Sequence, residues 1–118
     1  MPPYGAPRME MKTDSSNGIT AIQFEGNLDT GTAPTAEQHL AGLIEEGANK
    51  LLLDFENCEF ISSAGLRILL ATAKRLRPSG GQLRICSLNE TVQEIFDVSG
   101  FSSLLSVFPD AEQARSGF

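Results

Sequence analysis

The sequence predicts a single α/β domain in which α-helices pack against a mixed, mostly parallel β-sheet. Residues 51–55, Leu-Leu-Leu-Asp-Phe, form an apolar run without alternation, which is typical of a strand covered on both faces. A helix-spaced segment follows, and then a second strand-like segment at residues 82–86; a strand–helix–strand unit of this length pairs its strands in parallel. The dipeptide Asn17-Gly18 is typical of a two-residue hairpin turn, so we expect the first two strands to pair antiparallel.

The residues before the buried strand predict a hairpin followed by one helix. A polar strand is expected at residues 9–15, and a second strand with alternating apolar side chains runs until Gly26 ends it. Residues 27–32 are predicted to form a loop. Pro34 lies just inside the next helix, where its missing N–H costs nothing, and Gly47 ends that helix. The core-facing side chains of this helix are Ala36, Leu40, Leu43 and Ile44.

The residues after the buried strand predict two further helices and two further strands. The segment Pro78-Ser79-Gly80-Gly81 breaks the chain before the strand at residues 82–86. Asn89 is expected to cap a helix that Gly100 ends in the left-handed conformation. The end of the chain is expected to comprise a strand at residues 104–108, a short helix at 111–115 and a frayed terminus at 116–118.

The charge of the chain argues for a protein partner. The 118 residues include 15 acidic and 9 basic side chains, which give a net charge of -6. Nucleic-acid binding needs a basic surface, so this class of partner is excluded. No apolar run approaches the roughly 18 residues that span a bilayer, so no membrane segment is expected.

Residues 1–8 lack the apolar centre of a signal peptide, and we expect them to be a disordered N-terminal extension of a domain at residues 9–118. Cys58 and Cys86 are not closely spaced, which indicates reduced thiols in a cytoplasmic protein. The single histidine, His39, falls on the first predicted helix and is interpreted as a surface residue. The composition therefore predicts neither a metal site, nor a cofactor, nor a Ser-His-Asp arrangement.

Ser62 and Ser63 stand where the longest predicted helix begins. A serine at this position has two interpretations. It can cap the helix by accepting a hydrogen bond from a backbone N–H two or three residues on, or it can present its hydroxyl where the helix dipole favours a phosphate. Only one of two adjacent serines can be the cap. The apolar face of this helix is formed by Leu66, Leu69, Leu70, Ala73 and Leu76.

Four segments in order resemble the STAS family, specifically its stand-alone bacterial anti-sigma factor antagonists, or anti-anti-sigma factors. Gly26-Asn27-Leu28-Asp29 resembles the family's Gly-x-Leu-Asp motif, and Asp54-Phe55 stands at the end of its central strand. Ser62-Ser63-Ala64-Gly65-Leu66 stands where the family carries Asp-Ser-Ser/Thr-Gly-Leu, and Phe96-Asp97-Val98-Ser99-Gly100-Phe101 resembles its late Phe-x-x-Ser-Gly-Phe/Leu segment. The resemblance covers nearly the whole chain and implies a single STAS-like domain.

The resemblance also implies a mechanism of partner switching that regulates transcription. In the family, an anti-sigma factor that is also a serine/threonine kinase phosphorylates the serine two residues before the glycine, which here is Ser63. A serine phosphatase acts on the phosphorylated form. Ser62 replaces the aspartate that most family members have before the phosphoserine, so Ser62 stays open as the alternative site.

Three further residues are candidates for partner binding together with the two serines. The resemblance implies that Asp29 lies near the serine pair; the alternative is an Asx-turn in its loop. Gly65 leaves room for another protein to approach, or for close packing within the chain. Arg67 lies four residues after Ser63 and could pair with a partner's acidic group or with the phosphate. Lys74, Arg75 and Arg77 could extend a partner-binding stripe, but they also lie in the last turn, and the favoured interpretation is that they complement the dipole there.

Two classes of function follow from these residues. The first is a binding module, an anti-sigma factor antagonist that is inactivated by phosphorylation. The second is an enzyme or phosphate carrier with Ser63 as nucleophile, which is disfavoured because no base lies within reach by sequence and the Gly-x-Ser-x-Gly pattern is absent. A STAS module of a stressosome, a transporter or a two-component output pathway remains the alternative within the first class.

Overall fold

Within residues 9–118, five strands form one sheet in which they lie side by side in their order along the chain, and four helices cover it. The computed structural model describes residues 9–118, so the expected extension at residues 1–8 lies outside the described residues. Among the helices described, none is both long and apolar enough to cross a membrane. Two short 3₁₀ turns lie at Arg77–Ser79 and Phe101–Ser103. The elements are β1 (Met9–Ser16), β2 (Ile19–Leu28), α1 (Ala33–Glu45), β3 (Lys50–Ile61), α2 (Ser63–Leu76), β4 (Gln82–Cys86), α3 (Glu90–Ser99), β5 (Ser106–Phe108) and α4 (Ala111–Arg115).

The pairing of the strands confirms the predicted mixed sheet. β1 and β2 are antiparallel and are joined by Asn17 and Gly18, whose φ angles of 53° and 80° are those of a hairpin turn with two left-handed residues. The pairs β2–β3, β3–β4 and β4–β5 are parallel. Each parallel pair is connected through a helix, so the carboxyl ends of β2, β3 and β4 meet at one edge of the sheet, where α1, α2 and α3 begin.

Both faces of the central strand β3 are buried, as the apolar run predicted. Leu51, Leu53 and Phe55 belong to the larger core, to which α1, α2 and α3 contribute. The ring of Phe55 stacks on that of Phe24 with a centroid distance of 4.9 Å. Leu52 points the other way, into a smaller core beneath α4. That second core contains Ile19, Ala21, Leu52, Cys86 and Ala114.

Strands β2 and β3 are longer than predicted. Gly26 does not end β2; its φ of 106° lies in a region that favours glycine, and the register shifts on either side of it. Such irregularities bend a strand without ending its pairing. Pairing continues to Leu28 and Ile61, so Asp54-Phe55 lies within β3 and not at its end. The extra residues bring both strands up to the start of α2.

The end of the chain differs from the prediction in two places. The last strand begins at Ser106 and not at Leu104, because the backbone N–H groups of Leu104 and Leu105 donate to the carbonyl oxygen of Phe101 and close a turn. Residues 116–118 were expected to fray, and they are instead held by a side chain from β4. These contacts join residues 30 or more positions apart, which local sequence patterns do not report.

Arg84 holds the end of the chain against the sheet. Its guanidinium lies over the rings of Phe118 and Phe108, at 4.4 Å and 5.1 Å from their centroids. Planar guanidinium groups stack favourably on aromatic faces and donate several hydrogen bonds at once. The same group donates hydrogen bonds to the carbonyl oxygens of Ala114 (2.9 Å), Ser116 (2.8 Å) and Gly117 (3.2 Å).

Replacing Arg84 by Gln should lower the free energy of unfolding by about 2 kcal/mol, because charge-assisted hydrogen bonds and stacking on two rings are lost together. Urea denaturation followed by circular dichroism measures this change. The matched control is Arg75→Gln, because Arg75 is exposed and lies 3.9 Å from Glu45 in a surface ion pair. That variant should stay within about 0.5 kcal/mol of the wild type. Equal effects of the two substitutions would contradict the role assigned to Arg84.

Candidate functional site

The serine pair lies at the junction of β2, β3 and α2. The backbone N–H of Ser62 donates to the carbonyl oxygen of Leu28 at 2.9 Å, one residue beyond the last pairing of the two strands, Leu28 with Ile61. Asp29 is the residue that follows Leu28 in the chain. The structure therefore brings the loop that starts with Asp29 to the serine pair, although the two segments are more than 30 positions apart in sequence.

The two serines have different roles. Ser62 is the N-cap of α2, with extended backbone angles, and its Oγ accepts a hydrogen bond from the N–H of Gly65 at 3.3 Å. Ser63 is the first residue of the helix and is exposed. Within residues 9–118 its hydroxyl takes part in no hydrogen bond. One serine thus stabilises the helix start, and the other presents a hydroxyl to solvent.

Gly65 faces the interior of the domain. A Cβ atom built on it would lie 2.7 Å from the carbonyl oxygen of Leu28, 2.9 Å from the Leu28 Cγ and 3.0 Å from the Ile61 Cγ2. Backbone at 2.7 Å cannot give way easily, so only glycine lets the first turn of α2 approach the end of β2 this closely. The structure favours the packing interpretation of Gly65. The Cβ position of Gly65 thus points toward Leu28 and Ile61, and the place of Gly65 among the partner-binding candidates stays a prediction.

Asp29 organises the loop that leads into α1. Its Oδ1 accepts hydrogen bonds from the N–H groups of Gly31 at 3.0 Å and Thr32 at 3.1 Å, which is an Asx-turn. Thr32 completes the arrangement, because its Oγ1 accepts from the Asp29 N–H at 2.9 Å and donates to the Asn27 carbonyl at 2.7 Å. Asp29 is therefore both a structural turn residue and a neighbour of the serine pair.

Thr32 was missed by the sequence reasoning. It is buried and stands immediately before the first residue of α1, two positions ahead of Pro34. Threonine at a helix start followed by proline in the first turn is a recognised N-terminal signal, so the residue could have been identified. Its hydrogen bond to Asn27 on β2 could not have been predicted, because the loop between the two residues has no regular pattern.

A groove of about 520 Å³ lies between α1 and α2 and starts beside the serine pair. We call it the α1–α2 groove. Arg67 and Lys74 both line it, so the interpretation of Lys74 as a residue that serves only the helix dipole is incomplete. Sequence periodicity does not reveal such a groove, since it arises where two helices pack side by side. The groove residues are Thr30, Ala33, Pro34 and Glu37 from the α1 side, and Ala64, Arg67, Ile68, Leu70, Ala71 and Lys74 from the α2 side.

Other reactive side chains do not converge on Ser63. His39 is half-buried on α1, and its Nε2 lies 2.8 Å from the Thr13 Oγ1 of β1. Burial raises the pKa of the Cys86 thiol to about 11, and burial also raises the pKa of Cys58. Both thiols are therefore protonated at neutral pH. The geometry presents an exposed Ser63 hydroxyl beside the groove that Arg67 lines, and within residues 9–118 no side chain is hydrogen-bonded to that hydroxyl as a base would be.

Comparisons of sequence and of structure both relate this chain to STAS domains and anti-sigma factor antagonists. The sequence model of the STAS domain matches residues 10–114. BtrV of Bordetella bronchiseptica, a candidate anti-sigma factor antagonist, is 34% identical over 110 residues, which cover 93% of this chain and 95% of BtrV. The crystal structure of an anti-sigma factor antagonist from Mycobacterium paratuberculosis superposes with a TM-score of 0.83 at 22% identity and covers 91% of each chain.

The fold also matches SpoIIAA of Bacillus in two states. The phosphorylated form superposes with a TM-score of 0.68 at 19% identity and covers 90% of this chain and 96% of SpoIIAA. The unphosphorylated form, described as an anti-sigma factor antagonist, superposes with a TM-score of 0.69 at 17% identity and covers 90% and 92%. At this level of identity the likeness concerns the fold.

Replacing Gly65 by Ala should lower the free energy of unfolding by about 1–3 kcal/mol, because the new methyl group would overlap the backbone of Leu28. Chemical denaturation measures the loss. Gly42→Ala is the matched control, since Gly42 lies in α1 with nothing within 4 Å of its Cβ position. That substitution should raise stability by up to about 1 kcal/mol through helix propensity. A neutral Gly65→Ala would mean that the approach of α2 to β2 is not tight.

Replacing Asp29 by Ala should lower the free energy of unfolding by about 1 kcal/mol, because two backbone N–H groups lose their acceptor. Asp29→Asn keeps an acceptor oxygen and should retain most of that stability. The pair of variants thus separates the hydrogen bonds of Asp29 from its charge. If Asn destabilises as much as Ala, the carboxylate charge and not the turn geometry is what the loop requires.

Proposed function

The chain belongs to the STAS domain family, and on that premise we propose that it is an anti-sigma factor antagonist. With Ser63 unmodified it binds an anti-sigma factor that is also a serine/threonine kinase, and the sigma factor is released. The kinase phosphorylates Ser63 and thereby ends the binding. A serine phosphatase removes the phosphate and restores the active form. The exchange belongs in the cytoplasm, where sigma factors act.

The observation that carries this proposal is the division of roles between the two serines. Ser62 is committed to the helix cap, whereas Ser63 is exposed and its hydroxyl makes no hydrogen bond within the described residues. A phosphate on Ser63 would lie at the N-terminus of α2, where the helix dipole stabilises negative charge by about 0.3–1 kcal/mol. Modification therefore needs no rearrangement of the fold. Ser63 is the proposed site, and Ser62 is the less suitable alternative.

The chemistry of the step is a phosphoryl transfer for which the kinase supplies the catalytic groups. The Oγ of Ser63 forms a bond to the γ-phosphorus of ATP, the bond from that phosphorus to the ADP oxygen breaks, and the hydroxyl proton passes to a base of the kinase. The chain itself is a regulator and not an enzyme, in keeping with the names of its relatives. Those names also favour the sigma-factor pathway over a transporter or a two-component output.

We propose that the partner contacts the surface around Ser63. Ser62 and Asp29 border that surface, and Arg67 lies one helical turn further along α2. Gly65 contributes indirectly, by fixing where α2 starts, and its own atoms are covered. A phosphate adds roughly -1.5 to -2 units of charge to this surface. Burying that charge in an interface without a dedicated cationic pocket is costly, so the modified protein dissociates.

Incubation with the kinase and ATP should add one phosphate to the wild type and to Ser62→Ala, and none to Ser63→Ala. Candidate kinases are ATP-binding anti-sigma factors encoded near this chain. Mass spectrometry locates the modification.

Ser62→Ala should be less stable than the wild type by about 1 kcal/mol, because it lacks the cap, while Ser63→Ala should unfold like the wild type. The unphosphorylated wild type and Ser63→Ala should bind the kinase, and the phosphorylated wild type at least tenfold more weakly, by titration calorimetry.

Two results would contradict the proposal. A full equivalent of phosphate on Ser63→Ala would exclude Ser63 as the site and direct attention to Ser62. An affinity unchanged by authentic phosphorylation would exclude the switch. Ser63→Asp is a weaker test, because a carboxylate has less charge and fewer acceptor oxygens than a phosphate.

A further inference from the structure

Arg67 connects the serine pair to the α1–α2 groove. It lies four residues after Ser63 on α2, and residues at this spacing are neighbours on one face of a helix. Its side chain is exposed and lines the groove. The ion pairs formed within residues 9–118 are Lys12 with Glu25 and Arg75 with Glu45, and Arg67 belongs to neither. Its charge is therefore available to an acidic group from outside the described part of the chain.

We propose that Arg67 has two alternative acidic partners, a carboxylate of the anti-sigma factor bound in the α1–α2 groove and the phosphate on Ser63. Phosphorylation then weakens binding in two ways. It places a charge in the interface, and it also withdraws Arg67 from the groove. This inference rests on the proposed function and adds the residue through which the modification acts on the groove.

The composition of the groove supports an occupant that is apolar with an acidic group. Most of its lining is apolar, with Pro34, Ile68 and Leu70 among the larger side chains. Arg67 and Lys74 supply two positive charges along the α2 side, in a chain whose net charge is -6. Glu37 on the α1 side is not paired with either. A partner segment that fills the groove with apolar side chains can therefore bring a carboxylate to Arg67 without meeting a like charge on α2.

The geometry also supports the second partner of Arg67. A phosphate on the first residue of α2 lies within reach of a side chain one turn on, and guanidinium groups bind phosphate oxygens through two parallel hydrogen bonds. Among the described residues, Asp29 is one acidic group that would oppose the phosphate, because its loop meets the serine pair. Its carboxylate is present both in the wild type and in Arg67→Gln. The contribution of Arg67 can therefore be measured by difference.

The first test needs neither kinase nor partner. Phosphoserine is installed at position 63 during translation, in the wild type and in Arg67→Gln, and the second phosphate ionisation is followed by ³¹P NMR. A nearby cation favours the dianion, so the phosphate pKa in the wild type should lie below that in Arg67→Gln by roughly 0.3–1 unit. Arg75→Gln is the matched control, because Arg75 lies three turns from Ser63 and pairs with Glu45. Its phosphate should titrate like that of the wild type. Equal pKa values in the wild type and Arg67→Gln would overturn the inference.

The second test asks whether the ion pair affects binding. The kinase is the one that phosphorylates the wild type. Its affinity is measured for the wild type and for Arg67→Gln, each with and without phosphate on Ser63. Arg67→Gln should weaken binding of the unphosphorylated protein, and the phosphate should then cost this variant at least threefold less affinity than it costs the wild type. An equal loss in both would overturn the inference and leave the proposed function standing. A wild-type affinity unchanged by phosphate would overturn both.

Discussion

The tight approach of α2 to the end of β2 is the constraint on which the rest of the site depends. The carbonyl oxygen of Leu28 accepts the N–H of Ser62 and lies 2.7 Å from where a side chain on Gly65 would begin. This contact fixes both the starting residue of α2 and its direction. As a result, Ser62 becomes the cap, Ser63 faces solvent, and Arg67 lies along the same edge. A helix that began one residue later would make Ser63 the cap, and a helix that began one residue earlier would leave neither serine as the cap.

The same contact joins two segments that are distant in sequence. Asp29 and Thr32 close the loop before α1 with reciprocal hydrogen bonds, and this loop leaves β2 directly after Leu28. Both helices therefore start beside the same junction, and the α1–α2 groove lies between them. The second core beneath α4 lies on the opposite face of the sheet and shares none of these contacts. Changes at the site and changes at the end of the chain should consequently add independently.

Local sequence patterns predicted most of the helices and strands. The features that they missed depend on contacts between residues far apart in the sequence. The Asn17-Gly18 turn, the buried run at residues 51–55 and the helix start at Ser62 all follow from propensities and spacing over a few residues. The irregularity at Gly26 was not predictable, because a glycine that ends a strand and a glycine within a bulge look alike in sequence. The role of Gly65 in α2 was equally hard to predict, since the residue that requires a glycine there, Leu28, lies on β2. The ordered end of the chain depends on Arg84, 30 residues away.

The hairpin at Asn17-Gly18 has a practical consequence for work on this protein. It begins β2, whereas the site lies where β2 ends, ten strand residues later and roughly 30 Å away. A peptide tag or fluorescent reporter inserted at this exposed turn would therefore lie far from the proposed partner surface around Ser63. A fusion attached at Phe118 would instead disturb the stacking of the Phe118 ring on Arg84. The choice of attachment point thus decides whether a reporter can follow the proposed exchange of partners or perturbs the fold of the domain.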